Sequence, residues 1–194
     1  GLAAAERVCG ALPDLSDGVR RHARLRELLV QPLQIGGRSV KYRFAAQRAE
    51  YLASALAMLP CIEEVAISDV ALRNTLLGLP GVGPKTASWI VRNRRASNEV
   101  AILDVHIVRA CRIMGIFPHS ADPVRLYFEL EGRFLEFCRA TGSAASSMDA
   151  VMWSTMRALS QKFIQQLVDG ATQLGNSSER NGPEGANVGV RRLA

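Results

Sequence analysis

The segment Gly78-Leu79-Pro80-Gly81-Val82-Gly83-Pro84 constrains this chain more than any other stretch. Glycine and proline at this density stop a helix and force a tight turn. On one side, Ser68-Asp69 can cap a helix running through Leu77. On the other, Thr86 to Arg94 is amphipathic at helical spacing. The expected unit is therefore two short helices joined by a tight turn, spanning residues 69–94.

The remaining pattern is helical almost throughout. Apolar positions recur at close to 3.6 spacing in Asp17 to Val30 and in Phe44 to Leu59, the latter stopped by Pro60. Asp104 can cap Val105 to Met114, and Asp122-Pro123 reads as an N-cap followed by Pro at the first helical position, opening a helix to Gly142. Ser146-Ser147 opens a last helix to about Val168. Gly36-Gly37-Arg38-Ser39 reads as a loop, and Glu99 to Leu103 is the best strand signal, too short to build a sheet. An all-α chain is expected, with a domain over residues 1–169 and a flexible Gly/Ser/Asn-rich tail over 170–194.

The 194 residues carry a net charge of +6 and a pI near 9.6, which suits an anionic partner such as nucleic acid. Lysine occurs only at positions 41, 85 and 162, and arginine supplies the rest of the positive charge. No apolar run approaches the ~18–20 residues of a membrane span. The N-terminus has no basic stretch followed by an apolar core, so a secretory signal is not expected. Cys9, Cys61, Cys111 and Cys138 are too far apart in sequence for a zinc ribbon or a clustered iron–sulfur site, and read as reduced, mostly buried thiols. No metal or other cofactor is expected.

Helix, Leu-Pro-Gly-Val-Gly, helix is a helix-hairpin-helix. Gly81 and Gly83 permit positive φ and, with Val82, leave bare amides where the second helix begins. A phosphate fits that positive helix end without any side chain. Lys85 lies in the first turn of the same helix, where the dipole disfavours a cation. It reads either as a phosphate-contacting lysine or as a nucleophilic amine, whose neutral form the helix end and desolvation would favour. Asp104 follows an apolar run and opens a helix. It reads as an ordinary N-cap, or as an ionised carboxylate that stabilises a positively charged sugar or takes a proton from an amine.

Leu79 to Lys85, followed nineteen residues after the lysine by Asp104 in Leu-Asp-Val-His, resembles the helix-hairpin-helix DNA glycosylases, and more narrowly the 8-oxoguanine DNA glycosylase/lyases. Tyr42-Arg43-Phe44, Arg48-Ala49-Glu50-Tyr51 and Met148-Asp149-Ala150-Val151-Met152-Trp153 are similar to segments of the small, all-helical members. The resemblance covers roughly residues 20 to 168. It implies a two-lobed, all-α fold with the active site in the cleft between lobes. It implies that Lys85 attacks the sugar C1′ and becomes a Schiff base, that Asp104 is the essential carboxylate, and that His106 touches a DNA phosphate. In the same way Asp149 faces the flipped base, Trp153 stacks on it, and Trp89 lies on the pocket side. Without the resemblance, Asp149 reads as a solvated carboxylate, Trp153 as a core residue and His106 as a partly exposed helix histidine.

The implied activity is excision of an oxidised guanine from double-stranded DNA, followed by β-elimination at the abasic site. A monomer in the cytoplasm or nucleus is expected. Two rivals stand beside it. One is an enzyme of the same fold acting on another modified guanine or on a mispaired adenine, the adenine option being disfavoured by Lys85 and the pocket acid. The other is a non-catalytic DNA-binding module, which has no need of both Lys85 and Asp104.

Overall fold

The structure is a computed structural model describing residues 2–62, 64–160 and 162–170. The tail expected from residue 170 lies outside the described residues beyond Gly170. The chain falls into two compact units, Gly1–Val100 and Ala101–Ala194. The described residues are mostly helical, as the periodicity predicts, with one small pair of strands.

The first unit holds α1 (Leu2–Gly10), α2 (Arg21–Val30), β1 (Leu33–Ile35), β2 (Arg38–Val40), α3 (Ala45–Met58), α4 (Asp69–Leu76) and α5 (Pro84–Arg95). Leu25, Leu29, Leu33 and Ala49 form a core cluster with Ala4 and Val8 of α1. Arg7 fastens α1 to the end of α2. Its guanidinium donates to the carbonyls of Leu28 (3.0 Å), Gln31 (2.8 Å) and Pro32 (2.8 Å), which a helix end leaves without intrahelical donors. The stretch expected to be a loop is instead a hairpin, with β1 and β2 paired Leu33↔Val40 and Ile35↔Arg38. Gly36 (φ 55°) and Gly37 (φ 77°) supply the two left-handed residues that such a two-residue turn requires.

The helix-hairpin-helix has its own apolar cluster: Leu72, Leu76, Leu79, Ala87, Val91 and Val100. The Ser68 hydroxyl caps α4, accepting from the Ala71 amide at 3.2 Å. Arg95, at the end of α5, ties the two helices back together. It pairs with Asp69 at 3.0 Å and donates to the carbonyls of Ile67 (2.8 Å) and Glu64. Hydrogen bonds from Ser97 and then from Arg95 hold the Asp69 carboxyl below its ordinary pKa. The pairing therefore fixes the helices on either side of the turn, and with them the turn itself.

The second unit holds α6 (Val105–Ile113), α7 (Tyr127–Ala140), α8 (Ala145–Ala158) and α9 (162–170). Its core is built on Ile107, Cys111, Phe117, Leu130, Phe134, Met152 and Met156. Residues 101–103 are not a strand, because their polar groups go to side chains of α7. Tyr127 Oη donates to the Ala101 carbonyl (2.8 Å) and accepts from the Leu103 amide (3.3 Å), while buried Glu131 accepts from the Ala101 amide (2.9 Å). The helix expected from Asp122 begins later, at Tyr127. Asp122 instead caps a preceding turn through the amides of Val124 (2.8 Å) and Arg125 (3.4 Å). The single long helix expected from Ser146 is two. Leu159 turns extended (φ −77°, ψ 144°), and the Ser160 hydroxyl accepts from the Phe163 amide at 3.2 Å, capping α9.

The thiols divide evenly rather than being mostly buried: Cys9 and Cys61 are exposed, Cys111 and Cys138 buried. Burial, with a smaller contribution from Cys138, pushes the Cys111 thiol up to about 12. A thiol reagent at about pH 8 should therefore titrate Cys9 and Cys61 in the folded protein and all four cysteines after unfolding. Rapid labelling of Cys111 would mean that the α6–α7 core opens readily.

Candidate active site and DNA-contacting surfaces

In the first unit the site is the start of α5. Gly81 takes φ 78°, as the sequence predicts. Gly83 does not: it is extended (φ −91°, ψ 174°) and is the N-cap of α5. Positive φ is needed once in this turn, and the second glycine serves instead to leave the helix end bare. Pro84 follows at the first helical position, where a missing N–H costs nothing. The amides of Lys85 and Thr86 then open the helix with no carbonyl one turn earlier to receive them. The result is a positive, uncovered backbone surface beside an exposed lysine. Because Lys85 is exposed, its own unit does not desolvate the amine as the sequence reading expected. Trp89, one turn further along α5, is 54% exposed, while Ala87, Ser88 and Val91 on the opposite side are buried.

The two turn glycines should separate fold from grip. A Cβ on Gly81 would stand 2.4 Å from Tyr51 Cδ2 and would be held at positive φ. Gly81→Ala should therefore destabilise the protein by roughly 1–3 kcal/mol. A Cβ on Gly83 meets nothing within 4 Å. Gly83→Ala should leave the melting temperature nearly unchanged and weaken binding to lesion-bearing and undamaged duplex alike. Melting curves and duplex titrations on the two variants check this. A loss confined to lesion DNA would make the turn part of a base pocket.

In the second unit the site is the start of α6 and the adjoining face of α8. Asp104 caps α6, its Oδ1 accepting from the amides of His106 (2.8 Å) and Ile107 (3.0 Å). The buried residues Ala101 and Leu103, held by α7, fix the approach to this carboxylate. The His106 and Trp153 rings make a T-shaped contact, with centroids 6.2 Å apart and planes at 80°. His106 Nδ1 is buried with no hydrogen-bond partner among the described residues. Trp153 is not a core residue: it is 41% exposed. Asp149, one turn before it on α8, is half-buried. Thus Asp104, His106 and Trp153 come together within one unit, whereas Lys85, Trp89 and the hairpin belong to the other.

Several features escaped the sequence reading. Phe44 is 58% exposed and sits at φ 62° as N-cap of α3, with the Arg43 guanidinium 4.7 Å from its ring centroid. A bulky residue at positive φ that buries little marks a constrained, outward-facing position. The Tyr51–Gly81 packing and the Arg157 stacking on Trp153, at 4.4 Å, are tertiary facts with no local sequence signal beyond spacing. A cavity of about 900 Å³ also lies in the first unit, lined mainly by apolar side chains such as Leu29, Leu52, Leu72 and Ile90. Neither Lys85 nor Trp89 lines it.

With this geometry in place, the comparisons identify the class. The family described as 8-oxoguanine DNA glycosylase, of the helix-hairpin-helix type, matches residues 15–143, about two thirds of the chain. The chain belongs to that family. A relative described as an 8-oxoguanine DNA glycosylase/AP lyase, from Fusobacterium nucleatum, is 30% identical over 78 residues. The match takes in 39% of this chain and 36% of that protein, so the chain spans little more than a third of the relative's length. No solved structure matches it. No helix among the described residues is long and apolar enough to cross a membrane.

Proposed function

We propose that the chain excises an oxidised guanine, 8-oxoguanine, from duplex DNA and then cleaves the abasic strand through a lysine imine. The observation that carries this reading is an exposed lysine in the first turn of a helix whose bare amide end suits a DNA phosphate. A family match over that segment supports it.

In this reading the hairpin amides of Gly81, Val82 and Gly83 grip the backbone, and the target nucleotide is extruded at a cost of a few kcal/mol. His106, in the first turn of α6, takes a phosphate contact. Phe44 and Arg43 add a further outward-facing contact. Asp149 accepts from N1–H and N2–H₂ of the guanine-type base, and Trp153 and Trp89 offer stacking surfaces. The Lys85 amine forms a bond to C1′ as the bond from C1′ to the base breaks and the base leaves with the electron pair. Loss of the amine proton and opening of the sugar give the imine. Removal of a C2′ proton then breaks the C3′–O bond and releases the 3′ phosphate. Asp104, its Oδ1 held by two backbone amides, balances positive charge on the sugar and accepts a proton. The chemistry uses no metal or cofactor, and the protein acts as a monomer on damaged duplex DNA.

Lesion recognition is tested by comparing two substrates. Asp149→Ala and Trp153→Ala should slow excision of 8-oxoguanine by about 10- to 100-fold, the equivalent of one strong hydrogen bond or one stacking contact. Cleavage of an abasic duplex should be spared, since no base remains to be held. Single-turnover rates on the two duplexes decide the matter. Equal losses on both would assign α8 to the fold, and the preferred lesion would then be another.

A further inference from the structure

Arg157 carries the strongest unexplained arrangement in the second unit. It lies one turn after Trp153 on α8, and its guanidinium sits 4.4 Å from the centroid of the indole. No carboxylate among the described residues competes for it. The stacking is therefore not a by-product of an ion pair. His106 meets the same indole in a T-shaped contact, at 6.2 Å and 80°. Trp153 is thus an exposed aromatic held by two neighbours, a cation over one face and a roughly perpendicular imidazole. An exposed tryptophan with no such contacts would sample several rotamers.

The direction of the contacts matters. Helical side chains lean toward the N-terminus, so Arg157 comes down on Trp153 from the C-terminal side. The guanidinium covers one face of the indole. Asp149 lies a turn earlier on the same helix, and a base bonded to it would stack on the face opposite the guanidinium.

We propose that Arg157 is a positioning residue for base recognition: it pins the Trp153 indole so that the face opposite the guanidinium is preformed as a stacking platform. The inference rests on the reading of α8 as the base-holding helix. It adds that a planar cation behind the indole keeps the platform from rearranging each time a base arrives. Holding the platform beforehand lowers the cost of binding the extruded base and leaves the sugar chemistry untouched. The requirement is for a cation stacked on the ring, so lysine replaces Arg157 in part and an uncharged side chain of similar length does not.

The test uses Arg157→Met, which keeps the stem and removes the charge, and Arg157→Lys, which keeps the charge. Arg157→Met should slow single-turnover excision of 8-oxoguanine roughly tenfold and leave abasic-strand cleavage unchanged, and Arg157→Lys should recover to within about threefold. In DNA-free protein, Arg157→Met should also shift tryptophan emission, and the shift should vanish when Trp153 is replaced by Phe. Equal slowing on both duplexes, or lysine behaving like methionine, would overturn the proposal. So would an unchanged emission spectrum. Should the parent protein trap abasic DNA but excise no 8-oxoguanine, the lesion assignment fails. The emission shift and its lysine rescue then still decide whether Arg157 holds Trp153.

Discussion

Replacing Lys85 with Gln should abolish base release and imine formation together, a loss of at least about 10⁴-fold, while affinity for lesion duplex stays within a few-fold. In the proposed mechanism the two effects separate because the grip and the chemistry come from different atoms at one helix end. The grip is assigned there to backbone amides that start α5 after Gly83 and Pro84, and these do not depend on the side chain at position 85. The chemistry needs an unhindered amine, and lysine occurs elsewhere only at positions 41 and 162. Lys85 is exposed, so Gln at this position buries nothing new and the fold should be unaffected. Gel-based binding and single-turnover cleavage, run on the same variant, measure both quantities. Retained strand cleavage in Lys85→Gln would transfer the nucleophile to another residue.

Asp104→Asn should cut the rate by ~10²–10⁴-fold with little loss of stability. The proposed mechanism gives the carboxylate two separable duties. As a cap it accepts from the His106 and Ile107 amides through Oδ1, a duty that the Asn carbonyl performs nearly as well. As a charge, in the proposed mechanism, it opposes the cationic sugar and takes a proton, which Asn does not do. The melting temperature should therefore barely move while turnover collapses. Near-normal turnover would reduce Asp104 to a cap, and a large drop in melting temperature would show that its charge serves the fold.

Much of this was legible before any coordinates, and the reasons are local. The Gly/Pro run at 78–84 forces a turn, and the helical spacing on either side leaves one motif. Asp104 before a helical run is an N-cap by residue type alone. The β1–β2 hairpin was also within reach, because Gly36-Gly37 is flanked by Leu33, Ile35 and Val40 at alternating positions. What the sequence withheld depends on partners far along the chain. Residues 101–103 look like a strand by composition, and are not one because Tyr127 and Glu131 take their polar groups. Gly83 looks like a second left-handed glycine, and is extended because Gly81 alone makes the turn. Trp153 at helical spacing looks like core, but α8 buries Met152 and Met156 and turns the indole outward. The break at Leu159 turns on a serine hydroxyl that reads equally well as a surface residue.

The most direct measurement is borohydride reduction of the protein with an 8-oxoguanine duplex, followed by digestion and mass mapping of the adduct. An imine on Lys85 predicts one covalent protein–DNA species, its mass increment on the peptide holding Pro84-Lys85-Thr86. No adduct with either lesion or abasic duplex, or an adduct on Lys41 or Lys162, would contradict it.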